Sequence, residues 1–236
     1  MIAPEFYVGG FNGISLILII VPIILVFIVQ GMLNGNYNKY SKIRNSRGLT
    51  GYQVARMILD SKGLHNVEIL QGRGQLSDYF DPTKNIIKLS PDVYNGDSIA
   101  SLAVAAHEVG HAIQYATKYP VIGLRNKILP LAMASQNLAW AAIFMGLIFG
   151  KGNYTLLYIG IGMLCVMMLF QVVTLPLEFN ASSRALKILE EDHYLTYEEV
   201  PKAKRMLNSA AMTYVVAVIT TLAQVIRLVL ITQQRN

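Results

Sequence analysis

Four long apolar stretches divide the chain. Residues 14–33, 129–149 and 154–175 contain no charged side chain, and residues 210–231 contain one, Arg227. A helix of about 20 residues covers the roughly 30 Å hydrocarbon core of a bilayer. An arginine near the end of such a helix can reach the headgroups with its long side chain. The pattern therefore predicts four membrane-spanning helices.

A small folded unit is predicted between the first two spans. The stretch TGYQVARMILDSKG has a helical pattern, with Thr50 as a cap candidate and Gly63 as a stop. VEIL and NIIKLS have the composition of short strands, and DPTKN supplies a turn before the second of them. A further helix, capped by Asp97 or Ser98, is expected to run to about Thr117. The predicted order is helix, strand, strand, helix.

The segment after the third span is also predicted to be helical. Pro176 suits the first turn of a new helix, which would place Glu178 where the span ends. The sequence thus predicts a mainly α, polytopic membrane protein that forms one domain over residues 1–236. In it, residues 34–128 and 176–209 would form a small α+β unit outside the bilayer.

Composition and charge support a membrane protein and indicate its orientation. The chain is 53% hydrophobic and only 14% charged, which excludes an ordinary soluble protein. Residues 34–128 hold twelve Lys and Arg against seven Asp and Glu, so the positive-inside rule places this segment in the cytoplasm. The basic residues follow the topology rather than forming a stripe, so no nucleic-acid partner is expected. Cys165 is the only cysteine, which excludes an internal disulfide and a thiolate metal cluster.

The sequence AAHEVGHAIQY, residues 105–115, carries the candidate chemistry. On a helix, His107 and His111 lie on one face and can converge on a single zinc ion. Glu108 lies beside them, where it can take a proton from metal-bound water without being a ligand. Gly110 leaves space for another segment to approach this face. The pattern predicts a site for one zinc ion.

A catalytic zinc ion takes three protein ligands, so a third is required. The long H-E-x-x-H-x-x-G-x-x-H form does not apply, because Gln114 and Thr117 occupy its glycine and histidine positions. Glu178 is the best candidate, since it follows the third span on the same predicted side of the membrane as the histidines. His193 is the second candidate.

The chain resembles a known family. AAHEVGHAIQY, followed by two spans and then LPLEFNASSRAL, is similar to the bacterial membrane-bound neutral zinc metallopeptidases over nearly the whole sequence. It is more distantly similar to the HtpX-like and CAAX-prenyl membrane proteases. The resemblance implies a bacterial protein with a zincin-like unit, in which His107, His111 and Glu178 bind zinc and Glu108 is the general base.

Two positions depart from these families. The metallopeptidase family is expected to carry E-F-D-A-S, with aspartate where this chain has Asn180. The more distant proteases carry aspartate where this chain has Ser182. Asn180 and Ser182 are therefore candidates for residues that orient the metal ligands by hydrogen bonding to them.

Further residues are candidates for binding the substrate or the transition state. Tyr214 and Arg184 are candidate hydrogen-bond donors to the oxyanion that forms during peptide hydrolysis. The NIIKLS stretch is predicted to be an edge strand, along which a substrate backbone would pair at Ile86, Ile87 and Lys88.

Together these features predict a zinc-dependent endopeptidase in the cell membrane. It would hydrolyse peptide bonds of membrane-associated proteins or peptides at the cytoplasmic face, with the lipid bilayer and these substrates as its partners. A non-catalytic membrane adaptor or a protein with structural zinc is the alternative.

Overall fold

The computed structural model describes residues 7–8, 11–149 and 154–235. In chain order the elements are β1 (Tyr7–Val8), β2 (Phe11–Asn12), α1 (Gly13–Tyr40), α2 (Gly51–Ser61), β3 (Glu68–Gln71), β4 (Tyr79–Asp81), β5 (Ile86–Leu89), α3 (Pro91–Tyr94), α4 (Ile99–Ala116), α5 (Pro120–Phe149), α6 (Thr155–Glu191) and α7 (Val200–Arg235). Strands β1 and β2 pair with each other in an antiparallel manner.

Four of the helices in the described residues, α1, α5, α6 and α7, are long and apolar enough to cross a membrane. Large apolar side chains on these helices are exposed, as at Phe27, which is 74% exposed, and Phe149, which is 73% exposed. Such exposure is expected where lipid takes the place of water around a helix. The predictions of four spans and of a mainly α, polytopic membrane protein are confirmed. The assignment of residues 1–236 to a single domain stays a prediction.

The chain divides into two compact units. Within the described residues, the first unit is drawn from Met1–Val29, Leu124–Thr174 and Thr213–Asn236, and is called the span unit below. The second unit comprises Gln30–Gly123 and Leu175–Met212, and is called the α+β unit.

Small residues allow α5 and α6 to pack closely within the span unit. A Cβ atom added at Gly146 would lie 2.6 Å from the backbone nitrogen of Leu157. One added at Gly160 would lie 3.0 Å from the carbonyl oxygen of Ala139. Close backbone approach at small residues is a common source of helix association in lipid, where the hydrophobic effect does not drive packing.

The α+β unit is built on a three-stranded sheet with the order β3-β5-β4. Strand β5 is parallel to β3 and antiparallel to β4. A capping box begins α2, because Thr50 accepts a hydrogen bond from the Gln53 backbone while the Gln53 side chain accepts one from the Thr50 backbone. The core draws on α2, the sheet, α4 and the later part of α6, and includes Ile58, Leu59, Ile87, Leu89, Leu102, Val109, Ala185 and Leu189.

The prediction of an edge strand at NIIKLS is wrong, because β5 is the central strand. Its backbone pairs with β3 on one side and with β4 on the other. A substrate backbone therefore finds no free edge along Ile86, Ile87 and Lys88. Their predicted role in substrate binding is contradicted by this sheet order. The three residues of β4 carry too little alternation to be recognised as a strand in the sequence.

The prediction that Pro176 opens a new helix is also wrong. Pro176 lies inside α6, which continues without interruption to Glu191. A proline in a helix interior removes one backbone hydrogen bond, and this cost is tolerated when the flanking turns are held by packing. After Pro176, α6 buries Leu177, Ala181 and Ala185 at helical spacing within the α+β unit.

Candidate metal centre

Helix α4 carries both histidines, and it is buried along most of its length. Ser98 caps it by accepting a hydrogen bond from the backbone nitrogen of Ser101, so Ser98 rather than Asp97 is the capping residue. The alanines of its first three turns let neighbouring elements approach, and they are almost completely buried. The rigid surroundings of this helix fix the positions of His107 and His111.

Gly110 lets α6 touch the face of α4 that carries the histidines. A Cβ atom added at Gly110 would lie 2.7 Å from the carbonyl oxygen of Ala181, a distance at which the backbone would have to move. The space predicted beside Gly110 is therefore filled by α6. Since Glu178 lies one turn before Ala181, this contact delivers its carboxylate to the histidines.

His107, His111 and Glu178 converge at one point. The Nε2 atoms of His107 and His111 lie 3.4 Å and 3.6 Å from Oε2 of Glu178. One ligand atom from each of the three residues lies within 4.8 Å of the other two. Ligands about 2.0–2.2 Å from a tetrahedral ion are about 3.4 Å apart, so the distances of both Nε2 atoms from Oε2 of Glu178 fit zinc coordination. Two imidazoles and a carboxylate are also a donor set that zinc accepts.

The site concentrates negative charge in a buried setting. Burial raises the pKa of the Glu108 carboxyl above its usual range, although the nearby imidazoles act in the opposite direction. Burial alone would lower the pKa of His111, but the nearby carboxylates of Glu178 and Glu108 outweigh it and raise this pKa to about 9. The carboxyl groups of Glu108 and Glu178 thus stabilise a positive charge placed close to them. A divalent cation meets that demand while the imidazoles stay neutral.

A second layer of polar residues contacts the imidazoles from behind. The Ser182 hydroxyl lies 3.1 Å from Nδ1 of His107, and Oε1 of Gln114 lies 3.0 Å from Nδ1 of His111. Asn180 contacts Gln114 and Arg184 instead. Its Oδ1 accepts hydrogen bonds from Nε2 of Gln114 and from Nε of Arg184. The amide oxygen of Asn180 thus faces the two donors that an aspartate at this position would face.

In the sequence, Gln114 is recognisable only as a mismatch to the longer zinc motif. Its position three residues after His111 places both side chains on one face of α4, which was the available signal. The direction of its carboxamide depends on α6 and could not be read from the spacing.

His193 lies away from the cluster. It follows the end of α6 with a φ of +56°, a left-handed conformation that is typical just after a helix. Its backbone nitrogen donates to the carbonyl oxygen of Glu190. Among the described residues, the group that could hold a metal consists of His107, His111 and Glu178 and does not include His193.

The two candidate oxyanion donors differ in their surroundings. Arg184 belongs to the α+β unit, where its Nε donates to Asn180 at 2.7 Å and its guanidinium lies 6.0 Å from the centre of the Tyr119 ring. Tyr214 lies on α7 within the span unit and is partly exposed. For both residues, hydrogen bonding to an oxyanion stays a prediction.

A groove in the α+β unit runs along α6 from Ser182. It has a volume of about 690 Å³ and an apolar wall that includes Phe179, Leu186 and Val200. Lys187 and Lys204 lie on the same groove. Ser182 lines this groove and also touches His107, whereas His107, His111 and Glu178 are not among the residues that line it.

The chain is similar over most of its length to known proteins. A family model described as "Putative neutral zinc metallopeptidase" matches residues 15–233. The chain is 40% identical over 207 residues to a protein of Bacillus subtilis (strain 168) named "Putative membrane protease YugP", and the match covers 88% of this chain and 91% of that protein. No solved structure gives a significant match. The family resemblance found in the sequence is confirmed.

Proposed function

The chain belongs to the neutral zinc metallopeptidase family, and we propose that it is a zinc-dependent endopeptidase acting on membrane-associated proteins or peptides. The observation that carries the proposal is the convergence of His107, His111 and Glu178 beside Glu108. Three protein ligands leave a fourth tetrahedral position open, which is typical of catalytic rather than structural zinc sites.

The residues of the site have separate roles in the proposed reaction. Zinc, when bound by His107, His111 and Glu178, supplies a Lewis acid that polarises the peptide carbonyl and acidifies water. Glu108 takes the proton of the attacking water and delivers it to the amine nitrogen as the peptide bond breaks. Its buried position raises its pKa, which makes its carboxylate a stronger base than an exposed glutamate. Arg184 and Tyr214 are the candidates for donating hydrogen bonds to the oxyanion.

We place the site at the cytoplasmic face of the membrane. Glu178 follows the predicted third span by three residues on the same helix, which supports a position near the membrane boundary. The excess of Lys and Arg in residues 34–128 supports the cytoplasmic orientation. Substrates that are attached to the bilayer or derived from it would reach such a site directly.

Cysteine labelling in intact cells tests this orientation. In a Cys165→Ser background, single cysteines at Lys84 and Lys204, both exposed in the α+β unit, are expected to resist a membrane-impermeant thiol reagent. A cysteine at Asn153, which lies outside the described residues, is expected to react. All three should react in permeabilised cells. Labelling of Lys84→Cys from outside would reverse the orientation, and opposite behaviour at the two lysine positions would contradict a shared compartment.

Zinc analysis coupled to a cleavage assay tests the proposed activity. The purified full chain should contain about one zinc ion and should generate new N-termini, counted by mass spectrometry, in a mixture of detergent-solubilised membrane proteins. A chelator should abolish this cleavage, and added zinc should restore it. Stoichiometric zinc without any new N-termini would favour the structural or adaptor alternative. Cleavage that persists in zinc-free protein would exclude the proposed chemistry.

A further inference from the structure

Gln114 is a fully buried polar side chain that the proposed reaction does not use. Gln114 belongs to α4, and its side chain, which is 0% exposed, points toward α6. One end of its carboxamide contacts Nδ1 of His111 at 3.0 Å. The other end donates to the backbone carbonyl of Leu177 at 2.8 Å and to Oδ1 of Asn180 at 3.0 Å. Gln114 thus joins one candidate metal ligand to the turn of α6 that carries another, Glu178.

The hydrogen-bond acceptors on α6 determine which end of the Gln114 carboxamide faces His111. A backbone carbonyl can only accept hydrogen bonds, so the Gln114 nitrogen must face Leu177. The Asn180 oxygen is oriented in turn by Arg184, which donates to it at 2.7 Å. The oxygen of Gln114 is therefore left for His111, and this oxygen has no proton to give.

The protonation of the His111 ring follows from this orientation. An oxygen that only accepts requires a proton on Nδ1 of His111. In a neutral imidazole the lone pair then lies on Nε2, the atom 3.6 Å from Oε2 of Glu178. Metal-binding histidines commonly have their other ring nitrogen held in this way. His107 differs, because the Ser182 hydroxyl can rotate to donate or accept and so serves either tautomer.

We propose that Gln114 is a positioning residue, which holds His111 in its Nδ1–H tautomer and ties its ring to the turn of α6 that bears Glu178. This inference rests on the proposed zinc function. It concerns the geometry of the ligands, and Gln114 itself does not touch the reacting atoms.

Nitrogen NMR on the wild-type full chain tests the tautomer without any variant. Zinc-loaded protein labelled with ¹⁵N in its histidine rings should show the His111 proton on Nδ1, with the His111 signals assigned by through-bond correlation of the ring to its own backbone. A proton on Nε2 of His111 in zinc-loaded wild type would overturn the inference. A wild type that binds no zinc would instead refute the proposed function, so the two failures are distinguishable.

Two variants of Gln114 test the tie to α6. Gln114→Leu removes every hydrogen bond, so zinc affinity, measured by competition with a chelator, should fall about 10- to 100-fold. Gln114→Glu keeps an acceptor for His111 but loses the donors to Leu177 and Asn180, so it should retain the Nδ1–H signal and bind zinc more weakly than wild type. The same Gln→Leu change at exposed Gln71 is the matched control and should leave zinc affinity unchanged. Wild-type zinc affinity in both Gln114 variants would overturn the proposed role.

Discussion

Glu108→Gln is expected to retain zinc and to lose peptidase activity. The amide keeps the size of the side chain but cannot accept the proton of the attacking water. General acid–base catalysis typically contributes 10²- to 10⁴-fold, so kcat/KM should fall by about that factor. Because Glu108 is not one of the three converging ligands, the zinc content should stay near that of the wild type.

The measurement needs zinc content and kcat/KM from the same preparation, with one peptide identified in the cleavage assay as substrate. Glu68→Gln is a matched control, because it makes the same chemical change at an exposed position on β3. It should leave both quantities unchanged. If Glu108→Gln lost zinc in parallel with activity, Glu108 would belong among the ligands. Unchanged kcat/KM would remove Glu108 from the mechanism.

The spans and the helix carrying the histidines could be predicted from the sequence because both depend on local patterns. A charge-free stretch of about 20 residues has few alternatives to a membrane helix. The spacing of His107 and His111 has meaning only on a helix, and α4 provides it. Position favours Glu178 over His193 in the sequence, because Glu178 follows a span on the predicted side, and the family resemblance implies it as a ligand.

The sheet order could not be predicted in the same way. Strand order depends on pairings between distant residues, and β4, with three residues, has no periodicity of its own to recognise. Without β4, the NIIKLS stretch has the pattern of an edge strand. Because β5 is central, Ile87 has no free strand edge to which a substrate backbone could pair.

The structural roles of Pro176 and Gln114 could not be predicted from the sequence, because both depend on packing between segments that are far apart in the chain. Proline usually marks a helix boundary, but at Pro176 the packing of the following turns in the α+β unit outweighs the lost hydrogen bond. The uninterrupted helix fixes the rotation of Glu178 relative to Ala181, the residue that meets Gly110. It also presents the Leu177 carbonyl to Gln114, so the orientation of His111 depends on two helices at once.

Glu178 and His193 are the two candidates for the third zinc ligand. Helix α6 is continuous from Glu178 to its end at Glu191, which corresponds to about 20 Å at 1.5 Å per residue, and His193 lies beyond that end. Both side chains therefore cannot reach one ion. Oε2 of Glu178 lies within 3.6 Å of the Nε2 atoms of both histidines, and we therefore propose Glu178 rather than His193 as the third ligand.

Glu178→Ala is accordingly expected to purify largely free of zinc and inactive, whereas His193→Ala retains zinc and most of its activity. Loss of one of three ligands should weaken zinc binding by more than the roughly 10- to 100-fold expected for an orienting residue. Glu178→Gln, which keeps the side-chain volume, should also lose zinc, and this separates lost coordination from lost packing. Glu191→Ala on the same helix is the matched control and should bind zinc normally, since its ion pair with Lys187 is exposed. Zinc lost from His193→Ala but kept by Glu178→Ala would reverse the assignment, because the ion would then be held by the residue beyond the end of α6.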